Sequence, residues 1–500
     1  MNQYRVQPNR VIAERDPMIY GHFIEHFHRQ VYGGIYDPTS RFADEDGFRT
    51  DVMDALRQIK PAILRWPGGC FVSAYDWKKG VGADRIPYFD KAWKVEDSNE
   101  FGTDEYIKFC RKVGCEPYIC TNAGTGTPEE MSDWVEYCNL ETEGLYAKQR
   151  IANGYEAPHN VRYWSIGNEN YGSWEIGAKT ADEWPYYVLE SAKMMKKVDY
   201  TIELSAATIA DANWNMNLLQ TAGQFLDWVS LHEYWDMLYQ DNTLSTFNQC
   251  MTYTAKLDRQ IDQVIGMLKV LELEDRVKIS FDEWNLRGWH HPNQLAGVAK
   301  EDYLYPRDKN DDNSAYTMAD AVFTACFLNT CNRYAKIVRM ANFSPVVNTR
   351  GAIFTHADGI VKRTTYHVFD LYANNMGDTV IDLWCQAANT LDFTDKFGIT
   401  ATADILDVVA TRHSDSGVIA IAVASRSDNE TAVFSASVDA DVTSIENRYI
   451  CGDSADSYND IDTPDCVVIQ TKNLTDKWDA ETRTLTCSIR PHSVNVIMMK

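Results

Sequence analysis

The sequence predicts an α/β protein: a (β/α)8 TIM barrel followed by a C-terminal antiparallel β-sandwich of the jelly-roll kind. Three observations carry that expectation. Between residues 18 and 376, eight short apolar runs alternate with helix-like stretches. From residue 377 to 500 the pattern changes to short alternating runs rich in β-branched residues. The chain has 500 residues, more than the roughly 250 that a barrel alone takes. Alternating strands and helices imply a mostly parallel sheet covered by helices, and eight repeats match a closed barrel. An open doubly wound sheet is the structural alternative.

The elements follow in order. Residues 1–17 contain a strand-like stretch, Tyr4–Ile12, expected to pack with the C-terminal domain. Barrel strands are expected at Met18–His22, Ala62–Trp66, Glu116–Thr121, Val161–Ile166, Ile202–Ala207, Trp228–His232, Arg276–Asp282 and Ala335–Met340. Helical patterns occupy Phe48–Ile59, Ala181–Val198, Thr254–Leu271 and Ser314–Cys331. Another helix opens at Thr127-Pro128-Glu129-Glu130. There the threonine hydroxyl can cap a free amide, proline suits the first helical position, and Glu130 can reach back. In the C-terminal part, strands are expected at Ile405–Thr411, Gly417–Ala424, Thr431–Val438, Cys466–Thr471 and Val494–Met499. Turn clusters such as Asp415-Ser416-Gly417 and Ser427-Asp428-Asn429 separate them.

Composition narrows the function classes. Hydrophobic residues at 45% and charged residues at 24% are ordinary globular values, which excludes a disordered or fibrous chain. A formal charge of −24 repels phosphate backbones and anionic lipid, so neither nucleic acid nor a membrane is an expected partner. A neutral sugar meets no such barrier. The segment Met1–Val6 has no apolar core of an export signal, and no run approaches the roughly 18 residues of a membrane span. A cytoplasmic protein is expected, with its 12 cysteines as thiols. Cys110, Cys115 and Cys120 are five apart and no C-x-x-C pair exists, so zinc-ribbon and thioredoxin chemistry fail on spacing.

Two carboxylates stand out. Glu169, in Ser165-Ile166-Gly167-Asn168-Glu169-Asn170, and Glu283, in Phe281-Asp282-Glu283-Trp284-Asn285, each follow an apolar strand at its C-terminal end. In a barrel those ends converge on one face, where active sites form. Glycoside hydrolysis needs such a pair: one carboxyl protonates the leaving oxygen, and the other, ionised, attacks or stabilises the oxocarbenium-like centre. The competing reading is two surface glutamates at strand ends. Trp66, Trp93, Trp164, Trp174, Trp235 and Trp284 lie near these segments. Aromatic faces complement sugar rings, although tryptophans also fill the core of any large protein.

A rival signal is His22-Phe23-Ile24-Glu25-His26, which matches the H-x-x-E-H zinc pattern. That chemistry needs a helix, so that both histidines share one face. The strand-like flank Met18-Ile19-Tyr20 and the adjoining Gly21 argue against it. Arg65-Trp66-Pro67-Gly68-Gly69-Cys70 marks another strand end, a sharp turn where backbone can approach a ligand and where Arg65 can pair bidentately with a carboxylate. An ordinary tight turn is the alternative there.

Taken together, Gly21–His26, Val31–Asp37, Arg65–Phe71, Asn99–Glu105, Gly124–Glu130, Gly167–Glu169 and Asp282–Asn285 resemble glycoside hydrolase family 51, whose usual members are α-L-arabinofuranosidases. The resemblance implies a (β/α)8 barrel with a C-terminal β-sandwich. It implies Glu169 as acid/base and Glu283 as nucleophile of a retaining double displacement. It further implies Asn168 on the sugar 2-hydroxyl, Glu25 as a hydroxyl acceptor and Trp93 as an aromatic wall. Tyr234, in Leu231-His232-Glu233-Tyr234, is expected near the nucleophile with His232 in the binding site, and Arg65 resembles the arginine that keeps the nucleophile ionised. Three features depart from the family pattern. Cys70 stands where asparagine is usual, Asn342 where many members have glutamine after the last strand, and Leu286–His291 is not the commonest form. They leave the hydrolytic residues intact and bear on the identity of the sugar.

The expected function is removal of terminal non-reducing α-L-arabinofuranosyl residues from arabino- or arabinoxylo-oligosaccharides, without metal or organic cofactor, by a homo-oligomer, often hexameric in the family. The alternatives are another furanosidase or an endo-β-glucanase of the same family, a zinc peptidase using His22 and His26, and a non-catalytic sugar-binding protein.

Overall fold

The computed structural model describes residues 2–238, 244–289 and 316–500. Eight parallel strands curl around one sheet: Gly21–Phe23, Ile63–Trp66, Glu116–Thr121, Tyr163–Ile166, Glu203–Ala206, Trp228–Leu238, Lys278–Trp289 and Val338–Phe343. Numbered first to eighth along the chain, they are ordered 5-4-3-2-1-8-7-6. At the seam between the fifth and sixth strands, the Asp227 amide donates to the Leu204 carbonyl at 2.8 Å and the Thr208 hydroxyl donates to the Ser230 carbonyl. The sheet is therefore a (β/α)8 barrel, as expected.

Several boundaries differ from the expectation: the strand expected at Cys466–Thr471 is Gln470–Asn473, and the differences in the barrel have identifiable reasons. Met18–His22 does not form one strand. Asp16 accepts from the Met18 amide and Pro17 opens a 3-10 turn over Pro17–Tyr20, leaving Gly21–Phe23 to pair. The sixth and seventh strands instead run past the barrel rim, paired as far as Leu238 and Trp289. The helix expected at Ser314–Cys331 is Met318–Arg333; Ser314 itself lies outside the described residues. This helix is buried from Met318 to Asn332 because the barrel flanks it on one side and the C-terminal sheet on the other. Thr127 caps the helix Pro128–Asn139, its hydroxyl accepting from the Glu130 amide at 3.2 Å.

The barrel interior is layered. Met18, Ile63, Tyr118, Tyr163, Trp228 and Met340 form a closed apolar plug near the strand starts. Two residues further along most of these strands come Arg65, Cys120, Ser165, Ser230 and Asn342, all buried. Period-two alternation puts them on the same inward face. The functional rim lies beyond this polar layer.

The C-terminal domain is a ten-stranded, mostly antiparallel sheet. The leading strand Asn2–Glu14 enters it antiparallel to Thr379–Ala387 and parallel to Ala432–Val438. The sheet encloses its own core, in which Tyr4 stacks on Phe434 and Val408, Ile421, Leu485 and Ile497 are buried. Asp407 locks it to the barrel by accepting from Arg333 at 2.9 Å, and also accepts from Arg426 of its own domain at 2.5 Å. Among the described residues no helix is long and apolar enough to cross a membrane.

Candidate active site

The position of Glu283 depends on a local irregularity. On the seventh strand Phe281 pairs with Leu231, but Glu283 pairs with His232, so Asp282 is an extra residue. Such a bulge reverses the inward–outward alternation. Phe281 and Trp284 face outward and pack on Phe327. Asp282 and Glu283 are both buried; Asp282 accepts from the Tyr118 hydroxyl at 2.6 Å deep in the barrel, and Glu283 reaches the rim. Glu169 is aimed by a turn. Gly167 follows the fourth strand at φ +74°, and Glu169 itself has φ +45°, a left-handed conformation that costs a non-glycine residue.

The two carboxylates meet. One oxygen of Glu169, one of Glu283 and a His232 nitrogen all lie within 4.8 Å of each other. His232 Nδ1 is 3.0 Å from Glu169 Oε1 and 3.7 Å from Glu283 Oε2. Trp174 Nε1 donates to Glu169 Oε2 at 2.8 Å. Tyr234 donates to Glu283 Oε2 at 2.8 Å and contacts the Ser344 hydroxyl at 2.6 Å. Arg65, wholly buried, splits its fork: Nη1 donates to Glu283 Oε1 at 2.7 Å and Nη2 to Asn168 Oδ1 at 2.9 Å. The expected bidentate grip on one carboxylate is therefore replaced by a bridge between two site residues. With its oxygen taken, Asn168 leaves a buried, unpartnered Nδ2 at the cleft wall, a donor suited to a sugar hydroxyl.

The Pro-Gly-Gly turn closes the other side. A Cβ on Gly69 would lie 2.2 Å from Glu25 Oε2, so only glycine admits that carboxylate. Glu25 accepts from the Phe71 amide at 3.0 Å and from Trp93 Nε1 at 2.9 Å. The enclosed cleft has a volume of about 260 Å³ and is lined by Glu25, Cys70, Trp93, Asn168, Glu169, Tyr234 and Glu283, with Phe23, Phe27, Gln30, Gly69, Trp174, Met237, Ser344 and Arg350.

Electrostatics separates the carboxyls. Burial and the nearby Glu283 charge push Glu25 well above the usual carboxylate range. Burial acts on Glu169 in the same sense, but hydrogen bonding from His232 and Trp174 outweighs it and holds Glu169 low. For His232, burial disfavours the charged ring, yet Glu283 and Glu169 raise its pKa. The Glu169–His232 pair thus keeps a proton, resting on the imidazole side. Glu169, His232 and Glu283 are close enough to share a cation, but Trp174, Tyr234 and Arg65 already donate to the carboxylates, and the guanidinium would repel a positive ion.

Of the ten site residues expected from sequence, seven line the cleft, while Arg65 and His232 hold its carboxylates from behind. Asn342 is the exception. It points into the barrel below the cleft, wholly buried and with both amide atoms unpartnered, and Ser344 occupies the lining position instead. The period-two spacing from Met340, which belongs to the plug, places Asn342 one layer too deep to touch a sugar. Ser344, Arg350, Phe27, Gln30 and Met237 were missed, since each comes from irregular backbone beyond a strand or from a strand extension. Trp174 had been noted only as a nearby tryptophan. The departure at Leu286–His291 extends past the description: His290 and His291 lie outside the described residues.

The zinc pattern does not fold as zinc chemistry requires. His22 sits on a strand, buried against Phe343 and Phe369 with neither nitrogen bonded. His26 has both nitrogens engaged, Nδ1 with Asp97 at 3.0 Å and Nε2 accepting from Trp66 at 3.1 Å. Neither forms a helical i, i+4 pair.

Comparison with known proteins matches this architecture to one family. The alpha-L-arabinofuranosidase 1 domain matches residues 55–253, and the alpha-L-arabinofuranosidase C-terminal domain matches residues 282–493. An intracellular exo-alpha-(1->5)-L-arabinofuranosidase of Halalkalibacterium halodurans is 35% identical over 402 residues, 77% of this chain and 78% of that protein. The crystal structure of the Thermotoga maritima alpha-L-arabinofuranosidase with arabinose superposes with a TM-score of 0.88 at 31% identity, covering 100% of this chain and 99% of that one. The Thermotoga petrophila GH51 alpha-L-arabinofuranosidase gives 0.86 at 31% identity, covering both chains fully at 100%. On its sequence, its fold and the arrangement of its cleft, the chain belongs to the glycoside hydrolase family 51 α-L-arabinofuranosidases.

Proposed function

We propose that this protein is a retaining exo-α-L-arabinofuranosidase that releases terminal arabinofuranose from short arabino- or arabinoxylo-oligosaccharides. The observation that carries the reading is the carboxyl pair, Glu169 and Glu283, with oxygens within 4.8 Å across one cleft. A retaining pair stands about 5–5.5 Å apart, whereas an inverting pair needs room for water, about 6.5–9.5 Å.

In the first step Glu283 attacks the anomeric carbon while the glycosidic bond breaks and Glu169 gives its proton to the leaving oxygen. In the second, water attacks the same carbon, its proton passes to Glu169, and the bond to Glu283 breaks. Arg65 and Tyr234 orient Glu283 and balance its charge. His232 returns the proton: entry of a neutral sugar strips water from the cleft, disfavours the ion pair, and moves the proton from Nδ1 to Glu169 over 3.0 Å. Asn168 and Glu25 meet hydroxyls, and Trp93 walls the ring. A small cleft holding these groups suits one terminal furanose better than a glucan chain, which favours exo action over the endo-glucanase alternative. The name of the Halalkalibacterium relative supports the same mode and a cytoplasmic site of action. Assembly as a homo-oligomer is part of the reading and is measured by sedimentation.

The test is hydrolysis of nitrophenyl α-L-arabinofuranoside and arabinotriose alongside other furanosides and β-glucans. Arabinose release that Glu283→Ala abolishes, with folding intact by circular dichroism, supports the reading. Preference for β-glucan, or activity surviving in Glu283→Ala, refutes it.

A further inference from the structure

Glu175 is a buried carboxyl that the mechanism above leaves unused. It lies on the loop that carries Glu169 and is 5% exposed, and the Ser73 hydroxyl and Cys70 thiol that favour its charge stand outside regular hydrogen-bond geometry. One of its oxygens, the Cys70 sulfur and an oxygen of Glu169 lie within 4.8 Å of one another. The groups acting on it are Cys70 and Ser73 from the Pro-Gly-Gly turn, Glu169 on its own loop and Glu283 on the seventh strand, and it acts in turn on Glu25 beyond the first strand. Four carboxyls therefore share one poorly solvated region, and the donors beside Glu175 are a hydroxyl and a thiol.

We propose that Glu175 is a positioning residue for the general acid: its carboxyl sets how firmly Glu169 holds its proton. The proposal rests on the glycosidase reading of Glu169. His232 and Trp174 pull Glu169 toward its ionised form, the wrong form for protonating a leaving group. A second carboxylate at this distance opposes them, because two like charges in a poorly solvated site resist coexisting. Burial pushes Glu175 up to about 7. As the pH climbs through neutrality, Glu175 ionises, and its new charge tightens the hold of the Glu169–His232 pair on the proton they share. Cys70 contributes as a weak donor: its thiol compensates the Glu175 charge only in part.

The experiment compares wild type, Glu175→Gln and Glu175→Asp in kcat/KM across pH, on arabinotriose and on nitrophenyl α-L-arabinofuranoside. Removing the charge should move the basic limb of the arabinotriose profile toward acid by about half a unit to two units, the range given by screened and partly buried like charges at such a separation. The aspartate should restore most of the shift. Nitrophenolate leaves with little proton assistance, so the aryl substrate should lose less than the oligosaccharide. A structural role alone would lower both substrates together and leave the limb in place; that result, or an unmoved limb, overturns the proposal. If wild type releases no arabinose from either substrate, the glycosidase reading fails first and the two failures are distinguished.

Discussion

Replacing Arg65 with methionine tests whether the buried guanidinium organises the site. Arg65 donates to Glu283 at 2.7 Å and to Asn168 at 2.9 Å from a head with no exposure. Hydrogen bonds to charged groups contribute about 1.5–3 kcal/mol each, and removing one partner of a buried ion pair costs about 3–5 kcal/mol. Both routes converge on about 4 kcal/mol. If that loss falls on the transition state, it is about three powers of ten in kcat/KM. Methionine fills much of the same volume, so a cavity does not confuse the result. Arg65→Lys keeps the charge but offers a point donor in place of a fork. It should hold Glu283, release Asn168, and lose about tenfold to a hundredfold. The assay is kcat/KM on an aryl arabinofuranoside, with near-ultraviolet circular dichroism to confirm the fold. Activity of Arg65→Met within about fivefold of wild type would refute the reasoning.

Three further outcomes follow from the same geometry. His232, raised by its carboxylate neighbours, stabilises the fold fully below its unfolded value near 6.5 and loses that contribution as pH rises through its folded value. Glu169, held low, contributes above about 4.5 and loses it as pH falls. Their joint window lies between those values, so His232→Asn should lower the urea midpoint more at pH about 5.5 than at about 8.5; an equal drop at both would contradict the pairing. Gly69→Ala places a methyl 2.2 Å from Glu25 Oε2 and should displace that carboxylate, raising KM about tenfold, whereas an unchanged KM would show that Glu25 does not meet the sugar. Because Asp97 and Trp66 already occupy both nitrogens of His26, exhaustive dialysis against EDTA should leave kcat/KM unchanged; zinc lost in proportion to activity would revive the peptidase alternative.

Strand-end carboxylates announce themselves in sequence because an apolar run followed by a polar cluster is a local pattern. Glu169 and Glu283 were visible in that way, and so was the change from alternating strands and helices to a C-terminal run of strands. Depth within the barrel is different. Asn342 and Ser344 are both small polar residues at the end of the eighth strand, and only the layer occupied by Met340 shows that the first points into the interior while the second reaches the cleft. The bulge at Asp282 is likewise invisible, since it is a mismatch between two strands and not a property of either. Arg65 was correctly paired with Glu283, but the division of its fork needs the position of Asn168, which lies a hundred residues on. The H-x-x-E-H pattern shows the converse: a motif with the right letters on a strand carries none of its helical chemistry.

The proposed mechanism has Glu169 and Glu283 act from opposite faces of one sugar in two successive displacements. The most direct measurement is proton NMR of the first-formed arabinose, recorded before mutarotation, from an α-L-arabinofuranoside. The α-anomer, keeping the substrate's configuration, is the result expected from carboxyl oxygens this close. The β-anomer appearing first would mean a single displacement by water, and would contradict the assignment of Glu283 as nucleophile.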